Sequence, residues 1–191
     1  QVLSDLVSVS NEYAWVVSEP NGLWRYDLAT REWDYWKLPS RLQAIQAIGI
    51  KNKDQLWVGT PEGLQFWDLP SNRLEALPIP REELNPNIRL QFYTIQSAGE
   101  ELLWIGTNQG ILVYELQNKQ SFFLQHEVEK PNSLSDNHIQ LFAQDSSTLW
   151  IGTSGQGLNR TTLPLSPQST FDRFINDPQN VASIPNNTIA G

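Results

Sequence analysis

The feature that most constrains this chain is a five-residue phrase that it repeats. The letters LWIGT stand at 103–107 and at 149–153, and the near copy LWVGT stands at 56–60. Successive Trp residues in these copies are 47 and 46 positions apart, and a degenerate copy, AWVVS around Trp15, has its Trp 42 positions before Trp57. A fixed period indicates an array of similar units rather than one irregular core. The sequence therefore predicts four repeats.

Each copy is followed by a Gly and then by a short apolar run. These runs read NGLWRYDL, EGLQFWDL, QGILVYEL and QGLNRTTL, and the last has Thr161 and Thr162 where the others have an aromatic residue and an acid. Short β-rich runs broken by turn residues are typical of strands, and the stretch 138–174 divides into four of them. Four-stranded sheets at a period of about 40 to 50 residues are typical of a β-propeller.

We therefore predict an all-β propeller built of four-stranded antiparallel blades, with essentially no helix. The predicted blades span approximately 1–40, 41–86, 87–135 and 136–186, and residues 187–191 begin a further blade.

The Trp and the Gly of the repeated phrase point to the same face of a strand, because side chains alternate along it. Both faces of a blade are covered by neighbouring blades, so we expect Trp57, Trp104 and Trp150 to be core residues. The Gly beside each Trp is expected to make room for a bulky group of the adjacent blade. A second Gly follows each turn and is expected to adopt a positive φ; these residues are Gly22, Gly63, Gly110 and Gly157.

Composition excludes several classes of function. The 191 residues carry a formal charge of −8 with only 13 scattered Lys and Arg, which argues against nucleic-acid binding and against anionic membrane surfaces. The absence of Cys excludes disulfides, thiolate catalysis and Cys-ligated zinc. No apolar run approaches the roughly 20 residues of a membrane span. Because the sequence also has no Met, we expect it to be a mature segment or an excised part of a longer protein.

The two histidines offer the strongest pattern for a metal site. His126 and His138 are twelve positions apart, and three acids lie between them, Glu127, Glu129 and Asp136. This spacing matches no established ligand pattern, so a solvated acidic loop is the favoured interpretation. The stretch SGQG at 154–157 has the glycines of a phosphate loop but lacks its Lys and helix, and a tight turn explains it better. We predict no metal, no cofactor and no catalytic residue.

Blade topology indicates where a ligand would bind. In an up-and-down blade, the turn between the second and third strands and the linker to the next blade emerge on the same face, and loops on a rigid scaffold are where binding residues concentrate. The polar linkers are 78–88, 125–137 and 175–187. The predicted ligand-binding residues lie in the turns and are Glu62, Asn108, Gln109, Ser154 and Gln156. The alternative, that these residues only face solvent, stays open.

Longer phrases carry a resemblance to a known family. The stretch TLWIGTSGQGLNR at 148–160, the linker PNSLSDNHI at 131–139 and its looser version VASIPNNTI at 181–189 resemble the two-component regulator propeller repeat. The resemblance is strongest from 103 to 160 and weakest in the first unit, where Val17 and Ser18 replace Gly and Thr.

The resemblance implies a sensor. Such propellers are usually the extracytoplasmic, periplasmic part of a membrane-anchored bacterial receptor whose output domain is a histidine kinase or a diguanylate cyclase. They tend to close with seven blades, so this chain would be part of a larger ring. The segment itself is then not an enzyme, and its partner would be a small ligand such as a saccharide or a peptide. A propeller used only as a protein-interaction scaffold is the alternative, and a propeller lyase or glycosidase is a third hypothesis.

An arc of four blades would have two open ends. We expect the first blade to expose part of Trp15 and Trp24, and the last to expose Trp150 or Phe171 and Phe174. Apolar patches of this kind are uncommon on monomers, which predicts a symmetric homodimer through the open faces. Closure of the four blades on themselves is the alternative.

Overall fold

The computed structural model describes residues 6–18, 22–39, 42 and 44–189, and these residues form four antiparallel sheets of four strands each. In every sheet the strands lie side by side in chain order. The chain is thus all-β and built of four propeller blades, as the repeat predicts. A single turn of 3₁₀-helix, Arg81–Glu83, is also present. None of the described residues forms a helix with the length and apolarity needed to cross a membrane.

The chain divides into two compact units, 1–79 and 80–191, and each contains two blades. Blade 1 consists of β1 (Leu6–Val9), β2 (Tyr13–Ser18), β3 (Gly22–Asp27) and β4 (Trp33–Trp36). Blade 2 consists of β5 (Ala47–Asn52), β6 (Gln55–Thr60), β7 (Gly63–Asp68) and β8 (Arg73–Ala76). Blade 3 consists of β9 (Phe92–Ala98), β10 (Leu102–Thr107), β11 (Gly110–Glu115) and β12 (Ser121–Leu124). Blade 4 consists of β13 (Ile139–Asp145), β14 (Thr148–Thr153), β15 (Leu158–Thr162) and β16 (Asp172–Phe174).

Each unit has its own apolar core between its two blades. In the first unit, Trp15 and Leu23 of blade 1 pack with Val58 and Trp67 of blade 2. In the second unit, Trp104 of blade 3 packs among residues of both blades, including Ile111, Ile139 and Ile151. The repeated Trp therefore packs on the face that meets the following blade, as Trp15 and Trp104 show.

The glycine of the repeated phrase makes room for the next blade, as expected. A Cβ placed on Gly106 would lie 2.8 Å from the carbonyl oxygen of Ile139 and 3.0 Å from its Cγ2. Ile139 is the first residue of blade 4. A Cβ on Gly152 would similarly lie 2.7 Å from Cγ2 of Ile189. Ile189 thus takes the place beside blade 4 that Ile139 takes beside blade 3.

The threonine of the repeated phrase closes the turn that follows it. Thr107 Oγ1 donates a hydrogen bond of 2.8 Å to the carbonyl oxygen of Gly110, and it accepts the backbone N–H of Gln109 at 2.9 Å. Thr60 and Thr153 make the same pair of bonds in blades 2 and 4. All three threonines are fully buried. The second glycine of each repeat then has the predicted positive φ, for example 107° at Gly110.

The expected burial of the aromatic residues is only partly correct. Trp57 and Trp104 are buried, but Trp150 is half-buried, so its assignment to the core is wrong. Trp150 packs on Phe174 of its own blade, with ring centroids 5.5 Å apart, and the described residues contain no further sheet to cover this pair. The expectation that Trp15 and Phe171 are exposed is also wrong, because both are buried.

Two aspartates end the third strands of blades 1 and 2 and stabilise the turns that follow. Asp27 Oδ1 accepts the backbone N–H groups of Ala29 and Thr30, and these bonds, that of Thr30 above all, lower the pKa of Asp27. Asp68 accepts hydrogen bonds from Ser71 and from the Gln55 side chain, which lower its pKa from the ordinary value of 3.8. Each turn is therefore held by an ionised carboxylate.

Gly106→Ala is expected to destabilise the protein by about 1 to 3 kcal/mol, because the new methyl group overlaps the backbone of Ile139. Gly155→Ala is the matched control, since a Cβ at that position has no atom within 4 Å. Urea unfolding followed by tryptophan fluorescence measures both variants. Equal stability of the Gly106→Ala variant and the parent would contradict the close approach of the two blades.

Asp27 and Asp68 are expected to make the protein less stable in acid, because their pKa values are lowered in the folded state. A carboxyl whose pKa is lower in the folded state stabilises the fold above its unfolded pKa, and this contribution is lost as the pH falls through the folded pKa. The urea midpoint should therefore decrease as the pH drops below 3.8, and Asp68→Asn should make this decrease shallower. Asp145→Asn, at an exposed carboxylate, is the control. An unchanged acid slope in Asp68→Asn would contradict the turn's dependence on the charge.

Candidate ligand-binding surface

The turns between the second and third strands of blades 3 and 4 lie at one edge of the second unit. Residues 137–138, at the end of the linker between these blades, connect them. The N–H of Gly110 donates to the carbonyl oxygen of Asn137 at 2.8 Å, and the N–H of Ser154 donates to that of His138 at 3.0 Å. Linker and turns therefore share the face that the topology predicts.

The linkers 126–138 and 176–188 fold in the same way. Asn137 Oδ1 accepts the N–H of His126 at 2.7 Å, and fifty positions later Asn187 Oδ1 accepts the N–H of Asn176 at 2.6 Å. In the second linker the carbonyl oxygen of Asn187 likewise accepts the N–H of Gly157 at 2.7 Å. One asparagine thus fixes both ends of its linker, through its side chain and through its backbone.

A serine stabilises the middle of each linker. Ser133 Oγ accepts the N–H of Glu127 at 2.8 Å, and Ser183 Oγ accepts the N–H of Asp177 at 2.9 Å. The first linker is further held by blade 4, where the Arg173 guanidinium donates to the Ser133 carbonyl oxygen at 2.8 Å. These linkers are ordered scaffolds and not the loose loops that their composition suggests.

His126 belongs to this scaffold. Its Nδ1 lies 2.7 Å from the carbonyl oxygen of Leu134, and because a carbonyl only accepts, Nδ1 carries the proton. In the second linker, Asn176 Nδ2 donates to the equivalent carbonyl of Ile184 at 2.7 Å. Asn176 therefore makes in the second linker the hydrogen bond that His126 makes in the first. Among the described residues no three His, Asp or Glu side chains are grouped as a metal site would require.

Two of the predicted ligand-binding residues are buried and hold the linker that precedes blade 3. Asn108 is 8% exposed; its side chain accepts the N–H of Gln91 at 2.9 Å and donates to the carbonyl oxygen of Arg89 at 3.0 Å. Gln109 is 4% exposed and makes the equivalent bonds to Asn85 and to Ile88. Both side-chain amides hold this linker in place, and their role in ligand binding stays a prediction.

The other three predicted residues are exposed. Glu62 lies in the turn between β6 and β7 of the first unit, where its N–H donates to Thr60 Oγ1 at 3.2 Å. Ser154 and Gln156 lie in the turn between β14 and β15, whose backbone is fixed by Thr153. The structure therefore brings Ser154 and Gln156 together and places Glu62 in a separate unit.

Both linkers contribute polar groups beside Ser154. His138 is exposed and its Nδ1 lies 3.3 Å from Asp136 Oδ1, while Thr188 Oγ1 donates to the carbonyl oxygen of Ser154 at 3.1 Å. Hydroxyl, amide and imidazole groups thus meet on one rigid edge with both donors and acceptors. We call this set the linker–turn patch; it consists of Asp136, His138, Ser154, Gln156, Asn186 and Thr188.

Sequence reasoning missed four members of the patch, namely Asp136, His138, Asn186 and Thr188. A signal for them was present, because each stands beside an Asn of the repeated linker, at 137 or 187. The motif positions on either side of a fixed asparagine must project from the same edge, and their side chains differ between the two linkers. His138 was instead considered as a metal ligand.

Two open polar clefts flank the loop 167–170 of blade 4. One, of about 230 Å³, lies against the first linker, where Glu127, Lys130 and Ser133 line it. The other, of about 390 Å³, lies against β15, where Arg160 and Asp172 line it. Glu127 and Lys130 form an ion pair of 2.7 Å at the first cleft. Arg160 and Asp172 form an ion pair of 2.6 Å at the second cleft.

His126→Asn is expected to leave the thermal midpoint within a degree or two of the parent value, because Asn176 makes the equivalent hydrogen bond to Ile184. His126→Ala should lower stability by about 1 kcal/mol, since it removes the His126 donor and leaves the Leu134 carbonyl with Arg173 Nη2 at 2.9 Å. Calorimetric titration of the parent with zinc should show no saturable binding. A large loss of stability in His126→Asn, or stoichiometric zinc binding, would contradict the scaffold role.

Comparisons with known proteins bear on the whole segment. No protein-family model matches the chain. A histidine kinase of Formosa agariphila, named Histidine kinase P4, is 30% identical over 109 residues, which are 56% of this chain and 8% of the relative. The chain thus spans less than a tenth of this curated relative.

Two solved structures share the fold. The extracellular domain of BT4673 from B. thetaiotaomicron, assigned as a hybrid two-component system, has a TM-score of 0.64 and 25% identity, covering 96% of this chain and 23% of that one. The extracellular domain of BT3049, assigned likewise, has a TM-score of 0.61 and 22% identity, covering 92% and 22%. These comparisons confirm the resemblance predicted from the repeats: the chain is a propeller segment similar to the extracellular domains of two-component systems.

Proposed function

We propose that this chain is a sensory propeller segment of a bacterial transmembrane receptor and that it lies in the periplasm. The observation that carries the proposal is the match to the extracellular domain of BT4673, which extends over 96% of the chain at 25% identity. The similarity to a histidine kinase supports a kinase as the output domain of the receptor. In this proposal the segment itself does not catalyse a reaction.

The linker–turn patch supports ligand binding as the sensory event. Five of its six side chains are exposed and that of Asp136 is half-buried, while the backbone beneath them is held by hydrogen bonds such as those of Thr153 and Asn187. A rigid edge loses little conformational entropy when a ligand binds, which favours affinity from few contacts. Neutral hydroxyl and amide groups next to one imidazole suit a polyhydroxylated or amide-bearing ligand. We therefore propose a small saccharide or a peptide as the ligand class.

The alternative is a scaffold that binds only other proteins. The exposed aromatic side chains Trp33 and Tyr35 favour it, because large exposed aromatics are typical of protein interfaces. A lyase or glycosidase would require catalytic groups, and the patch contains Asp136 as its only carboxylate.

A panel of oligosaccharides and peptides, screened by thermal shift and followed by calorimetry, tests the proposal. We expect saturable binding that His138→Ala and Gln156→Ala each weaken by about tenfold, the effect of losing one or two hydrogen bonds. Gln144→Ala is the matched control, because Gln144 is also exposed but lies near the end of β13, beside the turn between β13 and β14.

Three outcomes would contradict the proposal. A blank screen, together with constant kinase output of the complete receptor in the presence of the panel, would favour the scaffold. Equal affinity in the Gln156→Ala and Gln144→Ala variants would place the ligand elsewhere. Turnover of any compound in the panel would favour the enzyme.

A further inference from the structure

The first of the two clefts lies where blades 3 and 4 meet, beside the last strand of each sheet. Its walls are β12 of blade 3, the linker residues 127–133, and the loop 167–171 of blade 4, and its volume is about 230 Å³. We call it the inter-blade cleft. All of its walls come from blades 3 and 4 and from the linker that joins them, so no further blade is needed to form it.

Hydrogen bonds hold each wall of the inter-blade cleft in place. The N–H of Phe171 donates to the carbonyl oxygen of Asn132 at 2.8 Å and fastens the loop to the linker. On the other side, the N–H of Phe123 in β12 donates to Glu83 Oε2 at 3.0 Å. The cleft is therefore formed in advance, which limits the entropy that is lost when a ligand binds.

An ion pair lines one side of the cleft. Lys130 Nζ lies 2.7 Å from Glu127 Oε2, and the two side chains are 62% and 52% exposed. An ion pair with this much exposure contributes little to stability, and its partners can exchange for those of a ligand at small cost.

The linker 176–188 shows that the fold does not require this ion pair. In the first linker the N–H of Lys130 donates to the carbonyl oxygen of Glu127 at 3.0 Å, and in the second the N–H of Asn180 donates to that of Asp177 at 2.9 Å. The same turn thus forms with an asparagine in place of the lysine. The positive charge at position 130 is not explained by the scaffold.

Neutral polar groups line the rest of the cleft. They are the side-chain amides of Asn132 and Gln168 and the hydroxyl of Thr170. Among the described residues, no hydrogen bond occupies any of these three side chains. The cleft therefore offers one cation, one anion and several neutral donors and acceptors in a small volume.

These groups fit a ligand that carries both charges close together. Lys130 would bind a carboxylate and Glu127 an ammonium group, and an α-amino acid bears both on one carbon atom. A neutral saccharide would leave the charged pair unused, and a peptide has its two terminal charges farther apart. The volume of about 230 Å³ is also below the range of roughly 300 to 1,000 Å³ that is typical of sites for drug-sized ligands.

We propose that the inter-blade cleft binds a free α-amino acid in its zwitterionic form. The ligand exchanges the Glu127–Lys130 pair for two charge-assisted contacts of its own, and a small polar side chain on it meets Asn132, Gln168 or Thr170. This site is additional to the linker–turn patch and shares no residue with it.

Calorimetric titration of the protein with L-serine and with L-glutamine at neutral pH tests the proposal. We expect saturable binding of at least one of them. N-acetyl-L-serine lacks the ammonium charge and L-serinamide lacks the carboxylate, so each should bind about tenfold or more weakly than L-serine, the effect of losing one charge-assisted contact.

Variants of both walls locate the binding. Lys130→Asn gives position 130 the residue that stands at 180 in the second linker, so we expect it to fold. Lys130→Asn and Glu127→Gln should each weaken binding by about tenfold, and Gln168→Ala, on the opposite wall, should weaken it by a smaller factor. Lys37→Asn is the matched control, because it removes an exposed lysine of the first unit, and it should leave the affinity unchanged.

Three results would overturn the proposal. The first is the absence of saturable binding of either amino acid at millimolar concentration. The second is equal affinity for L-serine and N-acetyl-L-serine, because the charge of the ammonium group would then play no part. The third is unchanged affinity in both Lys130→Asn and Gln168→Ala, after thermal unfolding has shown that both variants are folded. The comparison of Gln156→Ala with Gln144→Ala at the linker–turn patch succeeds or fails independently of this titration.

Discussion

The close approach of one blade to the next at the glycine of the repeated phrase is the contact on which the rest of the structure depends. Gly106 has no side chain, so the backbone of Ile139 can approach the second strand of the preceding blade. Trp104, two positions earlier, then meets the core that Ile139 closes. In the second unit this contact places Ile139, the first residue of β13, against β10. A period of 46 or 47 residues is the length of chain that returns to the same contact.

The threonine next to the glycine connects this packing to the surface. Its buried hydroxyl fixes the turn between the second and third strands. The backbone of that turn then hydrogen-bonds to the asparagine of the linker, as the N–H of Gly157 does to the carbonyl oxygen of Asn187. The core, the turn and the linker are therefore connected by consecutive contacts. A substitution at the glycine would be transmitted to the edge where a ligand is proposed to bind. The rigidity of the linker–turn patch has its origin in the core.

The sequence predicted the structural features that recur from one repeat to the next. The strands, the packing role of Gly106 and the positive φ of Gly110 all follow from a period and from steric rules. Burial of individual side chains did not follow, because it depends on which neighbour is present. Trp150 has the same local sequence as Trp104 and is half-buried, since no described sheet covers it.

The candidate site was predicted in its position and only partly in its residues. Topology alone places turns and linkers on one face, but it does not show which polar side chains are used by the scaffold. Asn108 and Ser154 follow the same threonine in their repeats, yet Asn108 is buried in bonds to the preceding linker and Ser154 is exposed. The turn of blade 4 is also one residue longer, because Thr153 bonds to Gly157 where Thr107 bonds to Gly110.

Comparison of the repeats separates the residues that build the fold from those left for recognition. A position filled by chemically equivalent groups in each repeat, such as His126 and Asn176, makes the same bond twice and is explained by the fold. A position that is exposed and differs between repeats, such as His138 against Thr188, has no such explanation. Thr188 Oγ1 donates to the carbonyl oxygen of Ser154, whereas the His138 side chain lies beside Asp136. For the proposed ligand-binding function, we expect discrimination between ligands to come from these unequal positions, on a scaffold that the equal positions hold in place.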